Sequence, residues 1–190
     1  TEGGGSVEKM KEYRDNVRRL AAEFGRNPDD IKVLFLAQPI IDVSMEAARE
    51  RVRMKEVEMD QHIDLHLSGM SRLTGIDFSK FDLDAPLPEL TTNGHQSSLA
   101  KWIGKTPRSI VKTYGRKGGI DFTGTADHVA GMMQEVMEEV GGDGFLFFNS
   151  YFDRRYVIEV CDGLVPELQR RGLTRKAYVH QHLRDNLLEF

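Results

Sequence analysis

Apolar residues recur at helical spacing in four stretches of the chain. Met10, Tyr13, Val17, Leu20, Ala21 and Phe24 form the first stripe. Ser6 stands where an N-cap belongs, Glu8 falls in the first turn where it complements the helix dipole, and Gly25 supplies a stop. A second helix is predicted from Met45 to about His62, capped by Ser44. Met45, Ala48, Val52 and Met59 share its apolar face, and Glu46, Arg49, Glu50, Arg53 and Glu56 supply the wet one. A third follows Thr125, with the stripe Val129, Met132, Met133, Val136, Met137 and Val140, and stops at Gly141 and Gly142. Its methionines read as core rather than as a cofactor box. A fourth runs from about Arg154 to Arg171, where Pro166 must kink or split it.

Three shorter runs, Ile31 to Ala37, Ile120 to Gly124 and Gly144 to Asn149, are apolar almost throughout. Runs of this kind suit strands covered on both faces, as in a parallel sheet. Strands alternating with amphipathic helices argue for βαβ units. Three strands alone leave sheet edges and faces uncovered, so the pattern implies part of a larger α/β fold. Between Leu65 and Gly119 the pattern loosens and only Ser98 to Ile103 and Arg108 to Tyr114 look weakly helical. So long an irregular stretch reads as a functional insertion. Residues 173–190 read as a polar tail.

Composition narrows the function. With 39% apolar and 29% charged residues the chain is ordinary for a globular protein, and its net charge of −4 comes without a basic face for nucleic acid. The single cysteine, Cys161, excludes an internal disulfide and reads as a small core residue on a helix. No apolar run reaches membrane-spanning length and the opening residues lack a signal-peptide pattern, so the chain is expected to be cytoplasmic. No phosphate-binding glycine loop or nucleophile elbow is present.

The closing run Leu164-Val165-Pro166-Glu167-Leu168-Gln169-Arg170-Arg171-Gly172-Leu173 resembles the C-terminal signature of the bacterial-luciferase-like flavin monooxygenases. The branch it resembles includes nitrilotriacetate monooxygenase component A, dibenzothiophene-sulfone monooxygenase and long-chain alkane monooxygenase. Four further blocks resemble that family in order: Gly25 to Val33, Thr74 to Ser79 with Asp82 to Leu87, Thr92 to Ser97, and Gly124 to Ala130.

The resemblance implies an α/β fold, a partial (β/α)₈ TIM barrel. Ser6 to Phe24 would be the helix after strand five, and Ile31 to Ala37 strand six. Residues 65–119 would be the active-site insertion, Ile120 to Gly124 strand seven and Phe145 to Asn149 strand eight. The first five strands, and with them the main flavin contacts, would lie outside this chain.

The implied activity is oxygenation of a small organic xenobiotic, sulfur compound or alkane by reduced FMN and dioxygen. A separate NADH:flavin oxidoreductase supplies the FMN, and the full-length subunits form a homo-oligomer. The competing expectation is a non-catalytic half-barrel that must pair with another chain.

On this resemblance His95 is the candidate catalytic residue, an imidazole facing substrate and flavin. The alternative is a loop histidine with a structural hydrogen bond. Asn93 and Gln96 either orient it or cap the helix that follows. Phe147 and Asn149, at the end of the last strand, are candidate substrate contacts, with ordinary packing as the rival for Phe147. Gln38 and Pro39 are lesser candidates on the same grounds. His62 and His66 lack a third ligand and read as a solvated face, so no metal site is expected. Trp102 either anchors the insertion or stacks on a ring.

Overall fold

Ser6 caps the first helix as its position suggests, its Oγ accepting the Lys9 N–H at 3.4 Å. The computed structural model describes residues 5–114, 119–148 and 153–189. In chain order its elements are α1 (Val7–Glu23), β1 (Phe35–Ala37), β2 (Ile40–Ile41), α2 (Met45–Gln61), α3 (Ile63–Thr74), α4 (Gln96–Trp102) and α5 (Pro107–Tyr114). These are followed by β3 (Thr123–Gly124), α6 (Ala126–Val140), β4 (Phe145–Phe147), α7 (Arg154–Ile158), a π-helical turn (Glu159–Leu164), α8 (Val165–Arg170) and α9 (Leu183–Leu188). The residues gather into two compact units, one drawn from 1–50 and 117–190 and the other from 51–116.

In the first unit the strands pair in parallel, as the alternation of strands and helices predicts. β1 lies against β4, with Phe35 opposite Phe145 and Ala37 opposite Phe147. β2 lies against β3, with Ile40 opposite Thr123 and Ile41 opposite Gly124. One apolar run thus serves two partners, and the change comes at Pro39, which has no N–H to give to a ladder. Among the described residues the first half of the run is thus joined directly to β4 and its second half to β3. The strand starts later than expected, since the Val33 N–H donates to Asp143 Oδ2 at 2.8 Å instead of to a neighbouring strand.

Burial along the run alternates strictly. Val33, Phe35, Ala37, Pro39 and Ile41 are buried, whereas Leu34, Leu36, Gln38 and Ile40 are only half-buried. The buried side chains meet Met10 of α1, Val129, Met133, Val136 and Val140 of α6, and Leu164 of the π turn. Leu146, the register partner of Leu36, is 43% exposed. The expectation of a strand covered on both faces is therefore corrected: the helices of this unit cover one face only.

The helix predicted from Arg154 to Arg171 stays helical through Pro166, with the backbone widening into a π turn just before it. A proline removes a hydrogen bond and crowds the carbonyl four residues back, and a wider turn relieves both. The buried stripe of this helix falls on Tyr156 and Leu164. Cys161 lies off it and is exposed, contrary to its reading as a core residue.

Arg170 and Arg171 of the closing motif hold this helix to α6. Arg171 donates to Asp127 Oδ1 at 2.7 Å, to the Asp127 carbonyl at 3.1 Å and to Gln134 Oε1 at 3.2 Å, and Arg170 reaches Asp127 Oδ1 at 3.1 Å. The tail is less polar than its composition suggests. Tyr178, Val179 and Leu183 are exposed around a turn closed by the buried Asn186, whose amide donates to the carbonyls of His180 and His182.

The second unit corrects another expectation. Where the pattern was read as loosening, α3 forms a regular helix of 12 residues with Leu67, Met70 and Thr74 buried. The hydroxyls of Ser68, Ser71 and Thr74 donate back to helix carbonyls at 2.7–3.0 Å, which satisfies groups that otherwise compete with helix formation. Leu67, Met70, Phe78, Leu87, Leu99, Trp102, Ile110 and Val111 make a core of their own. Trp102 is buried there and meets the Phe78 ring edge-on at 5.7 Å, so it anchors the unit. Among the described residues no cluster suits a metal ion, and no helix is long and apolar enough to cross a membrane.

One-sided cover makes a direct prediction. Phe35→Ala should lower the unfolding free energy of this chain by about 3–5 kcal/mol, whereas Leu36→Ala should cost roughly 1 kcal/mol. Denaturant unfolding measures both, and comparable losses would show that the second face is covered.

Candidate active site

The segment from Thr92 to Gln96 is pinned to the end of α3 by its own backbone. The His95 N–H donates to the Leu73 carbonyl at 3.1 Å, and the Gly94 N–H donates to Thr92 Oγ1 at 2.9 Å. The Thr92 hydroxyl in turn donates to the Thr74 carbonyl. Contact is so close that a Cβ at Gly94 would lie 2.8 Å from the Thr74 backbone and 2.9 Å from the Leu73 carbonyl oxygen. Only glycine fits there.

This clamp delivers His95 to the N-cap position of α4. Its Nδ1 accepts the Ser98 N–H at 3.3 Å, with the Ser97 hydroxyl at the same distance, and the side chain is otherwise exposed. Histidine thus does here what serine or asparagine does at most helix starts. Gln96 does not touch the imidazole; its amide donates to the Thr92 carbonyl at 3.3 Å and tightens the same loop. Asn93 is exposed on the turn, and no hydrogen bond joins it to His95.

The other candidates lie in the first unit. Phe147 packs against the buried core beside Ala37. Asn149 lies outside the described residues. Pro39 is buried, and Gln38 sits on the half-covered face of the strand.

Sequence reasoning missed an open groove of about 770 Å³ in the first unit, where β2 ends. Ile41, Val43, Ala126, Ile158 and Gly163 give it an apolar floor, on the same side of the sheet as the buried core. Asp42 closes one wall, its Oδ2 2.8 Å from Arg155 Nη2, and Arg155 Nε reaches Glu159 Oε1 at 2.6 Å. These contacts hold the Arg155 guanidinium above its usual pKa, the hydrogen bond it donates to Glu159 being the largest cause. Asp42 and Arg155 are 113 residues apart, so no local pattern could announce the pair. At the strand end a Cβ on Gly124 would fall 2.7 Å from the His128 ring and 2.8 Å from Met45 Sδ, so any larger residue there would have to displace these side chains.

No family model matches the chain. Among curated proteins it is 30% identical to N-acetyl-S-(2-succino)cysteine monooxygenase of Bacillus subtilis (strain 168), over 95% of this chain and 43% of that protein. It is 29% identical to nitrilotriacetate monooxygenase component A of Aminobacter aminovorans, over 93% and 41% respectively. Further relatives are named as long-chain alkane monooxygenase and dibenzothiophene-sulfone monooxygenase. The solved structures agree. Riboflavin lyase, crystallised with modified FMN and its substrate riboflavin, superposes with a TM-score of 0.79 at 26% identity, over 99% of this chain and 42% of that one. Long-chain alkane monooxygenase superposes with a TM-score of 0.72 at 28% identity, over 97% and 39%. The chain spans well under half the length of these monooxygenases.

The groove does not suit the phosphate of a flavin nucleotide. Asp42, Glu159 and Asp162 line it against Arg154 and Arg155, and Arg155 is already engaged by two of the carboxylates. A dianion placed there would meet uncompensated like charge.

Two predictions test this geometry. Gly94→Ala should cost about 1–3 kcal/mol in denaturant unfolding, because the clashing atoms are backbone and have nowhere to move. Burial, assisted by the Glu159 carboxylate, pushes the Tyr156 phenol up to about 12. An unfolded tyrosine ionises near pH ~10, so at higher pH the unfolded chain sheds a proton that the folded chain keeps. Stability should therefore fall between pH ~10 and ~12, and Tyr156→Phe should flatten that part of a stability-against-pH curve.

Proposed function

We propose that this chain is the closing arc of a flavin-dependent monooxygenase barrel, with residues 65–119 as its active-site insertion and 173–190 as its tail. The intact protein uses reduced FMN and dioxygen to oxygenate a small organic molecule. The observation that carries this is the alternation along residues 33–41. The sequence is apolar on both faces of the strand, yet the chain's own helices cover only one. A parallel sheet is stable when both faces are covered, and the relatives have more than half their length outside the match with which to do so.

In this proposal the main flavin contacts come from the remainder of the barrel, consistent with a groove that repels phosphate. FMN arrives reduced from a separate NADH:flavin oxidoreductase. His95 is the residue of this chain assigned to the chemistry, with Asn93 and Gln96 beside it on the insertion and Phe147 at the last strand. The substrate is of the kinds named for the relatives, such as nitrilotriacetate, a sulfone or an alkane.

The half-covered strand face also favours a second reading, a non-catalytic half-barrel that completes itself against another chain. One experiment separates the two. The protein carrying the complete barrel is supplied with NADH, a flavin reductase, FMN and candidate substrates, and the products are weighed. A product heavier by one oxygen atom supports the oxygenase, and NADH oxidation that yields only peroxide across all substrate classes supports the non-catalytic reading. This 190-residue chain alone should show no tight affinity for FMN. Tight binding would mean that the cofactor site has been misplaced.

A further inference from the structure

We propose that His95 meets its ligand as a hydrogen-bond donor through Nε2–H and does not serve as a base, because capping α4 fixes its tautomer. The Ser98 N–H points at Nδ1 at 3.3 Å. A backbone amide only donates, so Nδ1 accepts and carries no proton. The Ser97 hydroxyl, also 3.3 Å from Nδ1, can donate to the same lone pair and adds to the same preference. The proton of the neutral ring then sits on Nε2, which is directed away from the cap on an exposed side chain.

To take a proton at Nε2 the neutral ring would first have to carry one on Nδ1, facing the Ser98 N–H. That arrangement opposes two donors and undoes the helix start. The backbone clamp at Gly94 and the His95 N–H bond to Leu73 prevent the ring from escaping by a shift of the loop.

The chemistry that recognises such a group is an acceptor oxygen, on a substrate carbonyl, carboxylate or sulfone or on a bound oxygen species. This assignment of a ligand rests on the oxygenase proposal, whereas the tautomer itself does not.

The tautomer is read in this chain with ¹⁵N-labelled histidine by NMR, at a pH where the ring is neutral, using His95→Asn to identify the signal. The expected spectrum shows a protonated Nε2 and an unprotonated Nδ1. A protonated Nδ1, or a mixture of the two forms, overturns the inference.

Two variants then separate cap from donor. His95→Asn places an acceptor near Nδ1 and loses the outer donor, while His95→Gln places an amide donor near Nε2 and loses the short cap. The unfolding midpoint should follow the cap, unchanged in His95→Asn and lowered in His95→Gln; the reverse order overturns the inference. Oxygenation by the full-length protein should follow the donor, with His95→Asn losing roughly 100-fold or more and His95→Gln losing less. Activity that tracks the midpoint instead would leave His95 a purely structural cap and overturn the donor role. Failure of the unaltered protein to oxygenate any substrate would count against the oxygenase proposal alone, since the NMR result decides the tautomer independently.

Discussion

Side chains leave a β-strand on both faces, and a strand written Val33, Leu34, Phe35, Leu36, Ala37 asks for apolar cover on both. In this chain α1, α6 and the π turn supply it on one side, so Phe35 is buried and its neighbour Leu36 is only half so. The rest of the first unit is arranged around that covered face. Pro39 divides the strand between two partners, Gly124 lets the start of α6 and Met45 close against the strand end, and Arg170 and Arg171 fasten the last long helix to α6.

The second unit obeys a different constraint. It carries its own core around Phe78 and Trp102, so its loops are held independently of the sheet. The Thr92–Gln96 segment shows how firmly: a glycine is pressed against the α3 carbonyls, and a histidine is fixed at a helix start. A histidine held in this way presents one edge of its ring to the cap and the other outward.

Much of this was legible in the sequence. Ser6, Ser44 and Thr125 cap the helices expected of them, and the stripe from Val129 to Val140 is the face that α6 buries. What escaped has physical reasons. The stripe Ile63, Leu67, Met70, Thr74 was hidden among serines and a glycine whose propensity argues against a helix until their hydroxyls are seen bonding back. That faces of so narrow a sheet would lack cover was legible, but an apolar run looks the same on both sides, so which side of residues 33–41 stays half-buried was not. The Asp42–Arg155 pair and the direct pairing of β1 with β4 join residues more than a hundred positions apart. For His95 the sequence offered a structural hydrogen bond in a loop but not a helix cap, a role expected of Asn93 or Gln96 instead, because histidine is an uncommon cap and the loop gives no periodic signal.

The central physical claim is that the helices of the first unit bury one face of the strand 33–41 and leave the other only half-buried. A soluble paramagnetic probe tests it most directly, by relaxing the NMR signals of side-chain methyl groups that it can approach. Strong relaxation of the Leu36 and Leu146 methyls, with the Ala37 methyl and the Phe35 ring protected, is the predicted result. Equal protection of Leu36 and Ala37 would contradict the account, because both faces of the strand would then be shielded by residues of this chain itself.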